Sequence, residues 1–356
     1  MKKTIRFLYV DPLSPPGHIN FNNIYISALS AIPNINIDFC FQEGYIKKLT
    51  IPTDRVNNIY HFEKPRRIFH GKINKALWRF HQLKVLFYCK RLNQKYKYSY
   101  IFISSFDEIS LLLSGLMKKN VMAVCHANAE HIANSKVSKF FHAKLSKKGN
   151  LLTLNKALSD FMEKEGIYNT YSPHGFPSVD CDGVANGRFI FIPVQPNMVD
   201  AKFLKELLNN RFSDLLKELN VKLILKDNPA LPHNLPNIVF TDKKLSKSDY
   251  DTFFKTSGLI ILPYRAEKYN YRTSAMLMES ISYEKNVAVP KAKSFLSLYC
   301  PGDKGIWFYD GVEDIISIIN NIFATNTIPY TDYTNMMLQN KTDIITNTIL
   351  AIIYGK

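Results

Sequence analysis

The 356-residue sequence lacks any apolar run near the roughly 18 residues that a membrane-spanning helix needs, so no segment reads as a bilayer span. Met1-Lys-Lys resembles the start of a signal peptide. The apolar run that follows, Phe7-Leu-Tyr-Val10, stops at Asp11 and is too short for a signal-peptide core. The stretch 5–10 is instead expected as the first core strand, and the chain is expected in the cytoplasm. Cysteine is sparse: five residues, at 40, 89, 125, 181 and 300, odd in number and without paired spacing. That argues against a disulfide framework and against structural zinc, and suits reduced thiols. Internal repeats and low-complexity tracts are missing too. Between Lys64 and Lys97 there is no acidic residue at all, against eleven Lys and Arg.

What the chain has is size, apolar content and uneven charge. Its 356 residues are enough for two domains of ordinary size, and 46% apolar with 21% charged residues fits a soluble globular protein. Up to Gly175 there are 26 Lys and Arg against 11 Asp and Glu; beyond it there are 20 against 19. The basic half is therefore expected to meet something anionic. Short apolar runs recur at 7–10, 35–41, 100–103, 121–125 and 151–154, then at 189–192, 221–225, 238–240, 259–262, 287–289 and 306–309. Amphipathic segments of helical length, such as 155–165, 201–219, 246–256 and 311–323, separate many of them. Continuous apolar strands alternating with helices imply parallel sheets covered on both faces. Two such series imply two doubly wound domains, with a Pro/Gly-rich break from Pro173 to Gly187. The tail, 332–354, is helical in pattern.

The most informative stretch is 258–289. It reads as a buried strand, a loop with Tyr271-Arg272-Thr273-Ser274, a short helix carrying the single acid Glu279, and a second strand. A lone carboxylate on an apolar helix must meet something, because burying an unpaired charge is costly. Past the C-terminal end of a parallel strand, that partner is commonly a ligand; a structural salt bridge is the plain alternative. This stretch resembles the donor-binding signature of family-4-type glycosyltransferases of the GT-B fold. Glu279 takes the place of the glutamate that holds the donor ribose, Tyr271 replaces that family's first glutamate, and Ser274 stands for its loop glycine. The resemblance implies a GT-B fold, two Rossmann-like domains facing across a cleft. Expected boundaries are an acceptor domain over 1–178, a donor domain over 179–330 and a returning C-terminal helix over 331–356. It also implies a nucleotide-sugar donor, a glycan or lipid-linked acceptor in surface polysaccharide or glycolipid synthesis, and chemistry without a metal cofactor.

Other residues fit that expectation. Pro16-Gly17-His18-Ile-Asn after the first strand is similar to the start of many inverting GT-B enzymes, where the histidine deprotonates the acceptor. Histidine suits the task because its pKa lies near working pH; a loop histidine capping a helix is the alternative. Gly17 would let the backbone approach a ligand. Asp107, after the strand at 100–103, is expected to orient that base or else to cap a helix electrostatically. His126 ends another strand and resembles the histidine beside the transferred sugar in retaining relatives; His131, a helical turn on, reads as solvated. Arg272, Ser274 and Lys226 are candidates for the donor phosphates. His174-Gly175 resembles the turn at which GT-B chains change domain, with a donor contact through the histidine. The segment 192–197 lacks the usual glycine-arginine, which leaves Lys202 unplaced. Asp180-Cys-Asp182 matches a metal-binding pattern of a different fold, but sits in the expected linker.

The acid-free segment carries Ile73, Leu77, Phe80 and Phe87 on one helical face. A cationic helix with an aliphatic and aromatic side can lie on an anionic bilayer at the inner face of the membrane. It can equally press that stripe into the core and solvate its charges. Nucleic acid would satisfy the charge as well, but no nucleic-acid motif accompanies it and none is expected as a partner. A GT-B-like scaffold that binds nucleotide or glycan without transfer is the alternative from another class.

Overall fold

In the computed structural model, residues 4–63, 71–126, 128–194, 199–242 and 245–355 are described. The chain divides into two compact units. Unit 1 comprises Met1–Gly175, Tyr271–Thr273 and Asn340–Lys356; unit 2 comprises Phe176–Asn270 and Ser274–Gln339.

Unit 1 runs β1 (Ile5–Val10), α1 (Ile19–Ser30), β2 (Ile35–Gln42), β3 (Val56–Phe62), α2 (Gly71–Tyr96), β4 (Tyr100–Ile103), α3 (Glu108–Ser114), β5 (Val121–Cys125), α4 (Ala129–Asn134), α5 (Lys136–Ser146), β6 (Asn150–Thr153), α6 (Lys156–Lys164) and β7 (Thr170–Tyr171). Its sheet has the order β3-β2-β1-β4-β5-β6-β7, with every pairing parallel. The order reverses at β1, so the loops after β1 and β4 part there and leave room for a ligand. One face of the sheet is covered by the buried sides of α2 to α6, the other by α1 and the C-terminal helix of the chain.

Unit 2 continues with β8 (Gly187–Ile192), α7 (Ala201–Leu207), α8 (Asn210–Glu218), β9 (Lys222–Lys226), β10 (Ile238–Thr241), α9 (Lys247–Thr256), β11 (Ser257–Ile261), α10 (Ala275–Ser282), β12 (Asn286–Pro290), α11 (Lys293–Leu298), β13 (Ile306–Tyr309), α12 (Val312–Phe323) and α13 (Thr334–Gln339). The sheet order is β10-β9-β8-β11-β12-β13, again all parallel. The last helix, α14 (Thr342–Tyr354), belongs to unit 1, where Ile345 and Ile349 are fully buried and the Thr346 hydroxyl donates to the Ala28 carbonyl of α1.

Local chemistry sets the helix starts. Asn155, Ser135, Ser246 and Asp200 each accept a backbone N–H from the first turn of the helix they precede, satisfying donors that the helix cannot pair itself. The segment expected as one helix over 201–219 is two, because Asn209 is extended and caps α8 by accepting from Phe212 N. The tail expected as one helical stretch is likewise split into α13 and α14.

Two glycines of the sequence analysis differ in kind. Gly175 has φ +78°, and a Cβ there would stand 2.7 Å from Ile24 Cγ2 and 3.1 Å from Ile345 Cδ1. Gly17 is not in the left-handed region, and a Cβ would meet nothing within 4 Å. Gly175→Ala is therefore expected to destabilise the protein by about 2 kcal/mol, whereas Gly17→Ala should stay within about 0.5 kcal/mol. Urea denaturation of both variants checks the contrast; equal costs would contradict it.

Candidate functional site

In unit 1 the chemistry gathers where strands end. β1 delivers Asp11 directly after Val10. His18 then closes a short 3-10 turn and leads into α1, which presents Phe21 and Asn22 one turn later. His18 Nδ1 lies 3.2 Å from Asp11 Oδ2. Asp11 is fully buried, and its carboxylate also accepts from Asn22 Nδ2 (2.9 Å), Ser105 Oγ (2.9 Å) and Ser14 N (2.9 Å). Burial, the largest influence, pushes the Asp11 pKa up. The charge and hydrogen bond of His18, with the bonds from Asn22 and Ser14, outweigh it and leave the carboxyl at about 2. A permanently ionised, fixed carboxylate is what orients an imidazole and stabilises its protonated form.

His126, just past β5, stacks on His18 with ring centroids 4.2 Å apart and planes within 9°. Burial, then the neighbouring His18, His174 and Arg272, hold the His126 pKa well below the usual imidazole range. Its Nδ1 has no hydrogen-bond partner among the described residues. His174 follows β7 and stands 5.9 Å from His126, edge to face. Its Nδ1 donates to the Gly175 carbonyl (3.1 Å), its Nε2 is unpartnered, and burial lowers its pKa to about 4. The sequence reading grouped His174 and Gly175 with the donor; they lie in unit 1, in the cluster of His18 and His126.

Asp107 does not orient His18. It caps α3, accepting from Ser110 N at 2.9 Å, and pairs with Arg79 Nε at 2.9 Å. An Asp three residues before a Ser at the head of a helix satisfies an otherwise unpaired N–H, and that use wins here. The carboxylate that serves His18 is Asp11, straight after the first strand, which the sequence did not single out.

Tyr271 and Arg272, expected at the donor, lie in unit 1. Their backbone N–H groups both donate to Glu130 Oε1, at 2.6 and 3.1 Å. The Tyr271 carbonyl accepts from Asn155 Nδ2 (2.7 Å), and its ring packs on Phe161 with centroids 4.9 Å apart. Burial raises the Glu130 pKa against these bonds. Glu130 had no signal in the sequence beyond its helix.

In unit 2, Ser274 caps α10 by accepting from Leu277 N (3.1 Å), and the Tyr264 hydroxyl lies 3.2 Å from its Oγ. Glu279, on α10, forms no ion pair among the described residues. Its Oε2 accepts from the Tyr250 hydroxyl at 3.0 Å. Burial raises its pKa to about 7 despite that bond. Among the described residues, then, the structural salt bridge considered from sequence is not formed. Lys226, at the end of β9, is nearly buried, holds its ammonium 5.7 Å from the Tyr250 ring centroid, and has its pKa lowered by burial. Glu279, Tyr250 and Lys226 thus form one partly charged cluster at the C-terminal side of this sheet.

Asp180 pairs with Lys255 Nζ at 2.7 Å and accepts from Asp182 N, so the Asp-x-Asp sequence forms an exposed turn. Among the described residues no group of three or more His, Cys, Asp or Glu is arranged to hold a metal ion. Residues 195–197 of the segment 192–197 lie outside the described residues, and Lys202 pairs on the surface with Glu206 at 3.8 Å. No helix among the described residues is long and apolar enough to cross a membrane.

No family model matches the sequence, and no curated protein matches it. Solved structures do. A glycosyltransferase from Rickettsia africae superposes with a TM-score of 0.63 at 12% identity, covering 99% of this chain and 98% of the other. An Anabaena protein, HepE, solved in complex with UDP and glucose, gives 0.62 at 12% identity over 99% and 100%. The UDP-GlcNAc 2-epimerase from Neisseria meningitidis bound to UDP-GlcNAc gives 0.58 at 11% over 99% and 100%. At such identity the likeness shows the fold, and the fold is α/β with two parallel-sheet, Rossmann-like domains of the GT-B type.

Proposed function

We propose that the protein is a glycosyltransferase that moves a sugar from a nucleotide-sugar donor to a hydroxyl of a glycan or lipid-linked acceptor in surface polysaccharide or glycolipid synthesis. The observation that carries the reading is the His18–Asp11 pair, a histidine fixed by a buried ionised carboxylate at the reversal point of the unit 1 sheet. Acting through His18, the protein takes the acceptor hydroxyl proton as that oxygen bonds to the anomeric carbon. The bond from that carbon to the diphosphate oxygen breaks, and the nucleoside diphosphate leaves with the electron pair. A protein base of this kind supports an inverting transfer, and Tyr271 in place of a glutamate agrees with it.

Unit 2 would hold the donor, with Glu279 on the ribose hydroxyls and Lys226 offsetting diphosphate charge. Arg272 is a second cation for that charge. His126 and His174, held neutral by burial, offer nitrogens to acceptor or sugar hydroxyls. The reading invokes no metal. Support comes from the fold and from neighbours solved with UDP or UDP-sugars.

The test is a panel of nucleotide-sugars incubated with the full chain, read as release of nucleoside diphosphate. One donor is expected to be turned over well above the others, and faster when a glycan acceptor is present. Turnover of none would overturn the proposal; conversion of the donor to its 2-epimer without loss of the diphosphate would replace transfer by epimerisation.

A further inference from the structure

Helix α2 is apolar on two opposite sides. At about 100° per residue, Gln82, Val85, Cys89 and Leu92 share one face, and all are buried against the sheet. Ile73, Leu77, Phe80, Lys84, Phe87 and Arg91 share the opposite face. Ile73 is 60% exposed and Phe80 56%. The stripe that the sequence left open between core and surface is therefore on the surface; residues 64–70 of the same basic segment lie outside the described residues.

The neighbouring helices of the layer repeat the pattern. α3 packs between α2 and α5, and all three bury their inner sides in the same core. Their solvent sides consequently face the same way. On them Leu113 is 63% exposed, Val137 61% and Phe140 56%. Lys84 Nζ lies 4.8 Å from the Phe80 ring centroid, and Lys144 Nζ 5.3 Å from that of Phe140. From Lys136 to Lys148 there are five lysines and no acid. Lys84, Arg91, Lys144 and Lys147 have no acidic partner among the described residues.

We infer that the α2–α3–α5 face docks on an anionic lipid surface. Water-exposed aliphatic side chains gain from entering the headgroup–acyl boundary, while lysines and arginines around them meet lipid phosphates. Nucleic acid accounts for the cations and the aromatic rings, but gives Ile73, Leu77, Leu113 and Val137 nothing to bury against. The charge complementarity selects a bilayer of net negative charge. The inference stands apart from the proposed transfer reaction, since it concerns where the protein resides and needs no donor.

Flotation of the full chain with vesicles of phosphatidylcholine, with or without phosphatidylglycerol, tests it. Flotation is expected only with phosphatidylglycerol and should fall as salt rises. Phe80→Asp with Phe87→Asp should reduce the bound fraction at least tenfold, by about the transfer cost of two aromatic anchors. Lys84→Glu, a change of two charges, should weaken binding roughly 30-fold. Val239→Asp, on an exposed position of unit 2, should leave it unchanged. Thermal melts establish that each variant is folded, and the single charge reversal keeps the test valid if the double variant is not. Absence of flotation, flotation indifferent to these substitutions, or retardation of an oligoribonucleotide without vesicle binding would each overturn the inference.

Discussion

His18→Ala is expected to lower transfer by roughly 1,000-fold, the usual contribution of a positioned general base, while leaving donor affinity within about twofold. The expectation rests on placement. His18 is on unit 1, whereas the groups assigned to the nucleotide, Glu279 and Lys226, are on unit 2. A histidine that merely capped α1 would produce a different outcome, loss of stability with catalysis per folded molecule intact. The structure already weakens that alternative, because His18 makes no side-chain capping bond to α1.

Asp11→Asn is the companion variant. It keeps the shape but removes the carboxylate that orients the His18 ring, and should lower kcat by roughly 100-fold with little change in donor KM. It also has a stability cost, and the sign follows from the pKa. Asp11 is lowered from 3.8 to about 2 in the folded chain. Its contribution is therefore present above the unfolded value of 3.8 and is lost as pH falls through 2. At neutral pH that is worth about 2 kcal/mol, so rates must be compared per folded protein. Asp107→Asn provides the contrast: it loosens the α3 cap and the Arg79 pair, and should leave kcat unchanged.

The second large effect concerns Glu279, where stability and binding should move in opposite directions. Its pKa rises from 4.5 to about 7 because burial disfavours the charged form. A raised folded pKa means that stability is fully present below 4.5 and is lost as pH climbs through 7. The loss amounts to about 3 kcal/mol at most. Glu279→Gln removes the titrating group and retains an acceptor for the Tyr250 hydroxyl. The variant should be more stable than the wild type at pH 8 and should show a flatter melting profile between pH 5 and 8. It should also bind nucleoside diphosphate at least tenfold more weakly, because a ribose diol donates better to a carboxylate than to an amide. Groups that are costly to the fold and required by a ligand are characteristic of binding sites. Equal or lower stability at pH 8 with unchanged binding would make Glu279 a structural residue.

Most of the framework was legible because buried parallel strands leave continuous apolar runs. Tyr100–Ile103, Val121–Cys125 and Ile306–Tyr309 fall where their runs fall. The two strands that pattern reading missed, Val56–Phe62 and Thr170–Tyr171, are the two edges of the unit 1 sheet. An edge strand pairs on one side only, so β3 tolerates Asn57, Asn58 and His61 at exposed positions, and β7 is only two residues long. The candidate site was legible in part for a similar reason. His18, His126 and Glu279 sit at strand ends or on an apolar helix, where a polar residue stands out. Partners that depend on loop geometry did not stand out: Asp11 reaches His18 only through the turn at 11–18, and Glu130 reaches the backbone of Tyr271 across 141 residues of sequence. Asp107 takes the helix-terminal role that was its alternative, since a helix cap and an orienting carboxylate look alike until the neighbours are known.

Calorimetric titration of the full chain with a set of nucleoside diphosphates tests the central claim most directly. The account predicts saturable binding of at least one of them, weakened at least tenfold in Glu279→Ala and unchanged in His18→Ala. No heat of binding from any nucleoside diphosphate at millimolar concentration would contradict it.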